Sequence, residues 1–420
     1  MIFFIIVLMG LLWVEYKSYK TCITPFFIIG VIYLISVPVI NVIGSRLGYN
    51  SITLQTMYMF LLFLLVIFIG DLFFKLKLRG RKKGKVNVAD IYIKRQKVIW
   101  YVFVFMLAGY ILSFLQAMQR YGISDIKGKS SGIFGHMGIF CIAISPLIVL
   151  LYVNTKKIKY LISLCLLYIL MVIFGGKTYI FISLVSGTLL ILDQKKVKFR
   201  EILKIGILLA VIAIIIFLSI YTVIPILRSG NFAWKNIKDS VVESLQHVFY
   251  YFSAPFLCSN TYFCMPGAEG LEQGLRVLFA PFVSIYEAFL GSRNYPDIIM
   301  SEWATIAKEA HRTTSNVGGL FSEAVYRVGL PGALIYVFGI SGYVSFMYYL
   351  KRKGNYYHGS AALAIALIGL CFFCNYFTLL VVLEMIVYLF LMELIILILD
   401  RKKIVIKDWR IKQKCRLIRY

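Results

Sequence analysis

The chain has 420 residues, of which 60% are hydrophobic and only 15% charged, with a mean hydropathy of +0.84. Soluble domains carry nearer a quarter charged residues, so this composition excludes a soluble enzyme, a disordered chain and a fibrous repeat, and leaves a polytopic membrane protein. The formal charge of +26 would suggest nucleic acid in a soluble protein. Here the basic residues are scattered between apolar runs, which argues against nucleic acid and for contacts with anionic membrane lipids.

A helix crosses the bilayer core with about 20 mostly apolar residues. Runs of this kind near 1–16, 21–43, 53–74, 98–117, 136–154, 159–175, 178–193, 205–226, 329–350, 360–378 and 380–400 predict about 11 transmembrane helices in an all-α polytopic membrane protein, a single integral membrane domain over 1–420. The runs 159–175 and 178–193, joined by Gly176-Lys177, read either as two short spans or as one broken span. The first run lacks a basic leader and a small-residue cleavage site and reads as a retained helix. Ten basic residues lie between Lys75 and Lys97 and nine follow Asp400. Smaller groups fall at Lys17/Lys20, Lys156–Lys159, Lys195–Lys204 and Lys351–Lys353, all on alternate sides of these spans. Basic residues collect in cytoplasmic loops, so the N-terminus is expected outside and the C-terminus in the cytoplasm.

One connection is long. Residues 227–328 form an expected outer segment with nine acidic and eight basic side chains. Long loops in compact proteins are usually functional, and this one has internal pattern. Residues 236–252 have helical apolar spacing, 275–290 are apolar enough to lie against the membrane, and 301–311 read as a third short helix. Together they predict a helical extracytoplasmic cap between the eighth and ninth spans. The shorter outer loops are basic: 44–52 holds Arg46 and no acid, and 118–135 holds Arg120, Lys127 and Lys129 against Asp125 alone. That excess suggests either an anionic ligand such as a phosphate or pyrophosphate or an ordinary solvated loop.

Several residues stand out for chemistry. His311 lies in the polar run HRTTSNVGGLFSEAVYRVGLPGA, beside Arg312. A neutral imidazole there is either a general base or a structural group. Glu323 and Glu302 are alternative bases. Arg228, Arg276 and Arg327 sit at helix ends of the outer half, where a guanidinium either grips pyrophosphate with paired donors or snorkels to the interface. Lys177, in FGGKTY, suits substrate phosphate or lipid headgroup equally. Glu384 and Glu393 fall inside the last span, where a carboxylate is costly and often functional, although Glu393 is also placed to reach the inner interface. His136, His247 and His358 read as structural or solvent-facing. The run from His247 through Tyr250 and Tyr251 to Phe252 offers faces that stack on sugar rings or pack as a membrane belt. Most of the eight cysteines lie in spans as small hydrophobes, Cys371 and Cys374 among them, while Cys258 and Cys264 in the outer segment are candidates for a disulfide. No Gly-rich nucleotide loop occurs, which argues against ATP-driven transport.

The chain resembles the Wzy-type O-antigen and capsular repeat-unit polymerases of bacteria, and through them the GT-C-like polymerase/ligase superfamily. The resemblance rests on the plan of about a dozen spans with one large outer segment before the last three. It rests also on YYFSAPFLCSNTYF…GLEQGLRVLFAPFVSIYEAFL after Arg228, and on TTSNVGGLFSEAVYRVGLPGALIYVFGISGY with Gly329 and Gly332 at a helix start. FGGKTY is similar to a mid-chain turn of the family, with Lys177 where many members have Arg. The best match covers 175–350. The resemblance implies a glycosyltransferase that uses no metal and no cofactor. It joins undecaprenyl-pyrophosphate-linked oligosaccharides at the outer face of the inner membrane, with a chain-length regulator as a further partner. It implies phosphate or sugar contact at Lys177, Arg228, Arg276, Arg312, Arg327, Tyr250 and Tyr251, and His311 or Glu323 as base. A lipid-linked glycan ligase shares the plan. A flippase is the non-enzymatic alternative, and the chain shows neither the internal repeat common in transporters nor a balanced pair of faces.

Overall fold

The computed structural model describes residues 1–76, 88–122, 125–130, 132–194, 234–292, 294–310, 312–354 and 356–417, with isolated positions between 204 and 222. In chain order the helices are α1 (Ile2–Tyr19), α2 (Pro25–Val39, continued as a π-turn to Gly44), α3 (Leu54–Leu76), α4 (Val88–Lys94), α5 (Gln96–Tyr121), α6 (Gly132–Thr155), α7 (Ile158–Ile173), α8 (Lys177–Gln194), α9 (Trp234–Tyr262), α10 (Leu271–Leu278), α11 (Ala280–Phe289), α12 (Leu320–Gly354), α13 (His358–Leu370) and α14 (Leu380–Leu417). Strands β1 (Ala304–Thr305) and β2 (Thr314–Ser315) form one short antiparallel ladder.

This is an all-α, multi-pass membrane protein. Seven of the described helices are long and apolar enough to cross a membrane: α1, α2 with its π-turn, α3, α5, α6, α12 and the Leu380–Asp400 part of α14. Three shorter apolar helices, α7, α8 and α13, accompany them. The expected eighth span near 205–226 lies largely outside the described residues. The run expected at 360–378 ends its helix at Leu370, and the Cys371 carbonyl beyond that end accepts from the Leu320 N–H at 2.8 Å. The helix expected at 301–311 is not one. Residues 304–307 are drawn into pairing on two sides, with Ile306 N–H on the Thr313 carbonyl at 2.8 Å and Asn50 N–H on the Ile306 carbonyl at 2.9 Å. The apolar segment 275–290 falls on two helices, α10 and α11, broken at Phe279.

The chain divides into two compact units. One holds Met1–Arg79, Lys196–Phe346 and Ile365–Leu383, and the other Gly80–Lys195, Met347–Ala364 and Glu384–Tyr420. The first has an aromatic core in which Tyr33, Phe60, Phe63, Phe256, Phe263 and Phe321 meet edge-on, tilted or stacked, with centroids 4.9–6.3 Å apart. Helix α2 starts cleanly, with Thr24 accepting from Phe27 N–H at 3.2 Å and Pro25 in its first turn. Buried Asp71 of α3 ties neighbouring elements together: it accepts from Phe26 N–H at 2.8 Å and from the Ser345 hydroxyl, while its carbonyl accepts from Tyr19.

The second unit packs α5 on α6 and α6 on α7 and α8. Several of its polar groups pair inside. Glu393 accepts from Tyr92 Oη at 2.5 Å, Gly359 N–H at 2.7 Å, Ser360 N–H at 2.9 Å and Ser360 Oγ at 2.5 Å. A carboxylate thereby fills the open N–H groups at the start of α13, the usual place for a negative group on a helix. Asp193 bridges Lys351 at 2.7 Å and His358 at 3.0 Å. His136 and Glu384 pair at 2.8 Å.

Candidate functional site

The polar centre of the first unit is built by a break in α12. Gly329 adopts φ 72° inside that helix, a conformation that glycine accepts and other residues resist, and Pro331 follows with no N–H to donate. The carbonyls one turn earlier therefore lose their helical donors. Those of Val325 and Tyr326 instead accept from Gly267 N–H and Ala268 N–H, each at 2.9 Å. Gly274 of α10 lies directly against the Arg327 carbonyl, where any side chain would collide. The kink thus docks the 267–274 segment, and with it Glu269, beside Arg327.

Arg327 is 1% exposed. Its guanidinium donates to the Glu269 carboxylate and, at 3.1 Å, to the Ile298 carbonyl. Glu323, one turn earlier on the same helix, stands 3.8 Å from its Nε without a hydrogen bond between them. The Asn375 backbone approaches the Glu323 carboxylate, and the Asn375 side chain donates to Tyr336 Oη at 3.2 Å. A buried cation is tolerable only when compensated, and here two carboxylates and a carbonyl do so.

A second cluster rides on α9. His247, Tyr250 and Tyr251 fall at i, i+3 and i+4 and so share one face. The imidazole stacks on Tyr250 at 5.6 Å and meets Tyr251 and Tyr221 edge-on, both at 4.7 Å. Tyr250 donates to the Thr314 carbonyl at 3.2 Å, which fastens α9 to β2. Arg312 is exposed and lies over the Tyr250 ring at 5.4 Å, within the range of a cation–π contact. Burial pushes the Tyr49 phenol up, Tyr250 adds to that and Arg312 opposes it, so Tyr49 borders the same cluster. No carboxylate is paired with Arg312 among the described residues. The arrangement offers a guanidinium over one ring of an aromatic cluster, which suits a ligand carrying both phosphate and sugar.

The expected site residues are therefore distributed unevenly. Tyr250, Tyr251 and Arg312 come together. Arg327 and Glu323 also meet, as partners in the buried network. Arg276 donates to Glu287 at 3.3 Å and to the Asn294 carbonyl at 3.2 Å. His311, Arg228 and the Lys177 side chain lie outside the described residues. Lys177 is the first residue of α8, in the second unit. The disulfide between Cys258 and Cys264 does not form. Both are free: Cys258 donates to the Ser315 carbonyl at 3.5 Å and Cys264 to the Asn260 carbonyl at 3.2 Å. Burial pushes the Cys258 thiol up to about 12, so it stays protonated and is a poor nucleophile.

Sequence reasoning missed Glu269, Asn375 and Tyr336. Glu269 had a usable signal, since it stands in a Gly-Ala-Glu-Gly turn where a lone acid has few local partners. Asn375 had only its place in an otherwise apolar run. Among the described residues no three of His, Cys, Asp and Glu gather as a metal site would require. No protein-family model, no curated protein and no solved structure matches the chain.

Proposed function

We propose that the protein is a metal-independent glycosyltransferase that polymerises undecaprenyl-pyrophosphate-linked oligosaccharide repeat units into O-antigen or capsular polysaccharide. It would work at the outer face of the bacterial inner membrane, with the N-terminus outside and the C-terminus in the cytoplasm. The observation that carries this reading is Arg312, without a carboxylate partner among the described residues, over Tyr250, whose ring in turn meets His247 and Tyr251.

In the reaction the acceptor sugar's hydroxyl oxygen attacks the anomeric carbon of the donor glycan. The bond from that carbon to the pyrophosphate oxygen breaks, and undecaprenyl pyrophosphate leaves with the electron pair. Arg312 neutralises the charge growing on the leaving group, with Arg228 as a further phosphate contact. Tyr251, half-buried and 5.5 Å from the Tyr250 ring, presents a face to the sugar. The hydroxyl proton passes to a base. His311, adjacent in sequence to Arg312, takes that role better than Glu323, whose carboxylate is enclosed by Arg327 and Asn375.

Gels of surface glycan from cells carrying Arg312→Ala test the reading. The ladder of polymer collapses to a single repeat unit on the acceptor. Polymer retained on the lipid carrier would identify a ligase instead, and an unchanged ladder from both Arg312→Ala and His311→Ala would remove the assignment.

A further inference from the structure

The second unit contains a cavity of about 500 Å³, lined by Ser113, Gln116, Gln119, Arg120, Tyr121 and Lys129. That is within the size range of small-ligand pockets. Ser113, Gln116 and Arg120 recur at i, i+3 and i+7 along α5 and so share one face. Gln119 extends the lining onto the adjacent face, which it shares at i+7 and i+4 with exposed Leu112 and Leu115.

The opposite wall is held in place. Buried Ile126 anchors the loop, and its carbonyl accepts from Lys129 N–H at 3.0 Å. Gly128 N–H donates to the Phe174 carbonyl at 3.0 Å, which ties the loop to the turn before α8. Ser130 and Ser113 share a hydrogen bond at 3.2 Å. Lys129 Nζ stands 5.2 Å over the Tyr121 ring. No Asp or Glu lines the cavity, and among the described residues neither Arg120 nor Lys129 has a carboxylate partner. The lining is thus two uncompensated cations, two amides and two hydroxyls.

We infer that this cavity binds a sugar phosphate, with Arg120 and Lys129 on the phosphoryl oxygens and the Gln116 and Gln119 amides on the sugar hydroxyls. A guanidinium and an ammonium together suit a phosphate dianion, and amides both donate to and accept from hydroxyls. The inference rests on the cavity and not on the polymerase reading. Its test measures binding, which stands apart from whether the chain makes polymer.

The full chain in nanodiscs of phosphatidylcholine is titrated calorimetrically with glucose 1-phosphate, inorganic pyrophosphate and glucose. Glucose 1-phosphate binds saturably and more tightly than pyrophosphate, and glucose does not bind. Arg120→Gln with Lys129→Gln weakens glucose 1-phosphate about ten-fold or more. Gln119→Ala weakens it severalfold and leaves pyrophosphate unchanged. All three side chains are exposed, so elution as a single species separates lost binding from lost fold. Equal affinity in wild type and the double variant overturns the inference, as does equal affinity for pyrophosphate and glucose 1-phosphate. A third contrary result is loss of binding when phosphatidylglycerol replaces phosphatidylcholine, which would make the lipid headgroup the occupant.

Discussion

Arg327, just before the kink of α12, and Arg120, in the last turn of α5, both stand on apolar helices. Arg327 is sealed inside its unit and matched by Glu269 and Glu323, whereas Arg120 faces a cavity with no carboxylate on its wall. A guanidinium without water must be neutralised by its own protein. One left unmatched at a wall of amides and hydroxyls is available to an external anion. The same division separates Arg276, which has Glu287, from Arg312, which lies over an aromatic ring and has no carboxylate partner among the described residues. Matched arginines hold the segment between Gly267 and Val328 together, and unmatched ones mark where ligand is expected.

The largest expected effect comes from breaking the matched set. Arg327→Ala leaves Glu269 and Glu323 facing each other across a buried gap, and removal of one partner from such a network costs about 3–5 kcal/mol. Thermal unfolding of the purified protein in detergent should show a steep fall in melting temperature. Adding Glu269→Gln to that variant should restore part of it. An unshifted melting curve for Arg327→Ala would mean that the pairing is not structural, and the division drawn above would lose its first half.

Glu393 supplies the next test. Glu393→Gln places an amide N–H₂ against a cluster of four donors from Tyr92, Gly359 and Ser360. At least one donor is left unmet, at roughly 2 kcal/mol. Polymer formation should survive wherever the protein accumulates, because the residue caps α13 and touches no proposed ligand. A ladder lost at normal protein level would instead make this carboxylate a working group.

The membrane helices were legible because their signal is local. About 20 apolar residues in a row suffice to specify a span, and α1, α3, α5 and α6 follow that rule. The site was less legible because its pairs are remote in sequence. Arg327 and Glu269 are 58 residues apart, and nothing in either neighbourhood announces the other. Where local pattern and tertiary pairing disagreed, pairing won. Residues 301–311 have helical composition, yet Thr305 and Ile306 are β-branched and face Thr313 and Thr314 across a turn, a strand signal that spacing alone obscured. Gly329 reads as a helix start, although Leu320 is where α12 begins and Gly329 is its break. That break is the informative feature, since it frees the carbonyls on which the 267–274 segment docks.

Tyr250 separates the aromatic cluster's scaffold from its proposed ligand contacts. Tyr250→Phe removes one hydrogen bond to the Thr314 carbonyl and keeps the ring beneath Arg312, so stability should drop by about 1 kcal/mol with the polymer ladder intact. Tyr250→Ala removes the ring as well and should shorten the ladder. Equal loss of polymer in both variants would shift the role from the ring to the hydroxyl.

Arg276 carries the smallest expected effect and the sharpest choice. Its side chain is 32% exposed and its contact with Glu287 is 3.3 Å long, the kind of pair that contributes under about 1 kcal/mol. If Glu287 and Asn294 are its partners throughout, Arg276→Ala should change neither melting temperature nor polymer length by much. If the arginine instead lets go of Glu287 to take substrate phosphate, the melting curve stays put while the ladder collapses. In that case Glu287→Gln, by releasing the guanidinium, should lengthen polymer at limiting substrate. A matched arginine that behaved this way would show that pairing in the resting state does not by itself exclude a ligand, and would confine the structural class to cations as deeply enclosed as Arg327.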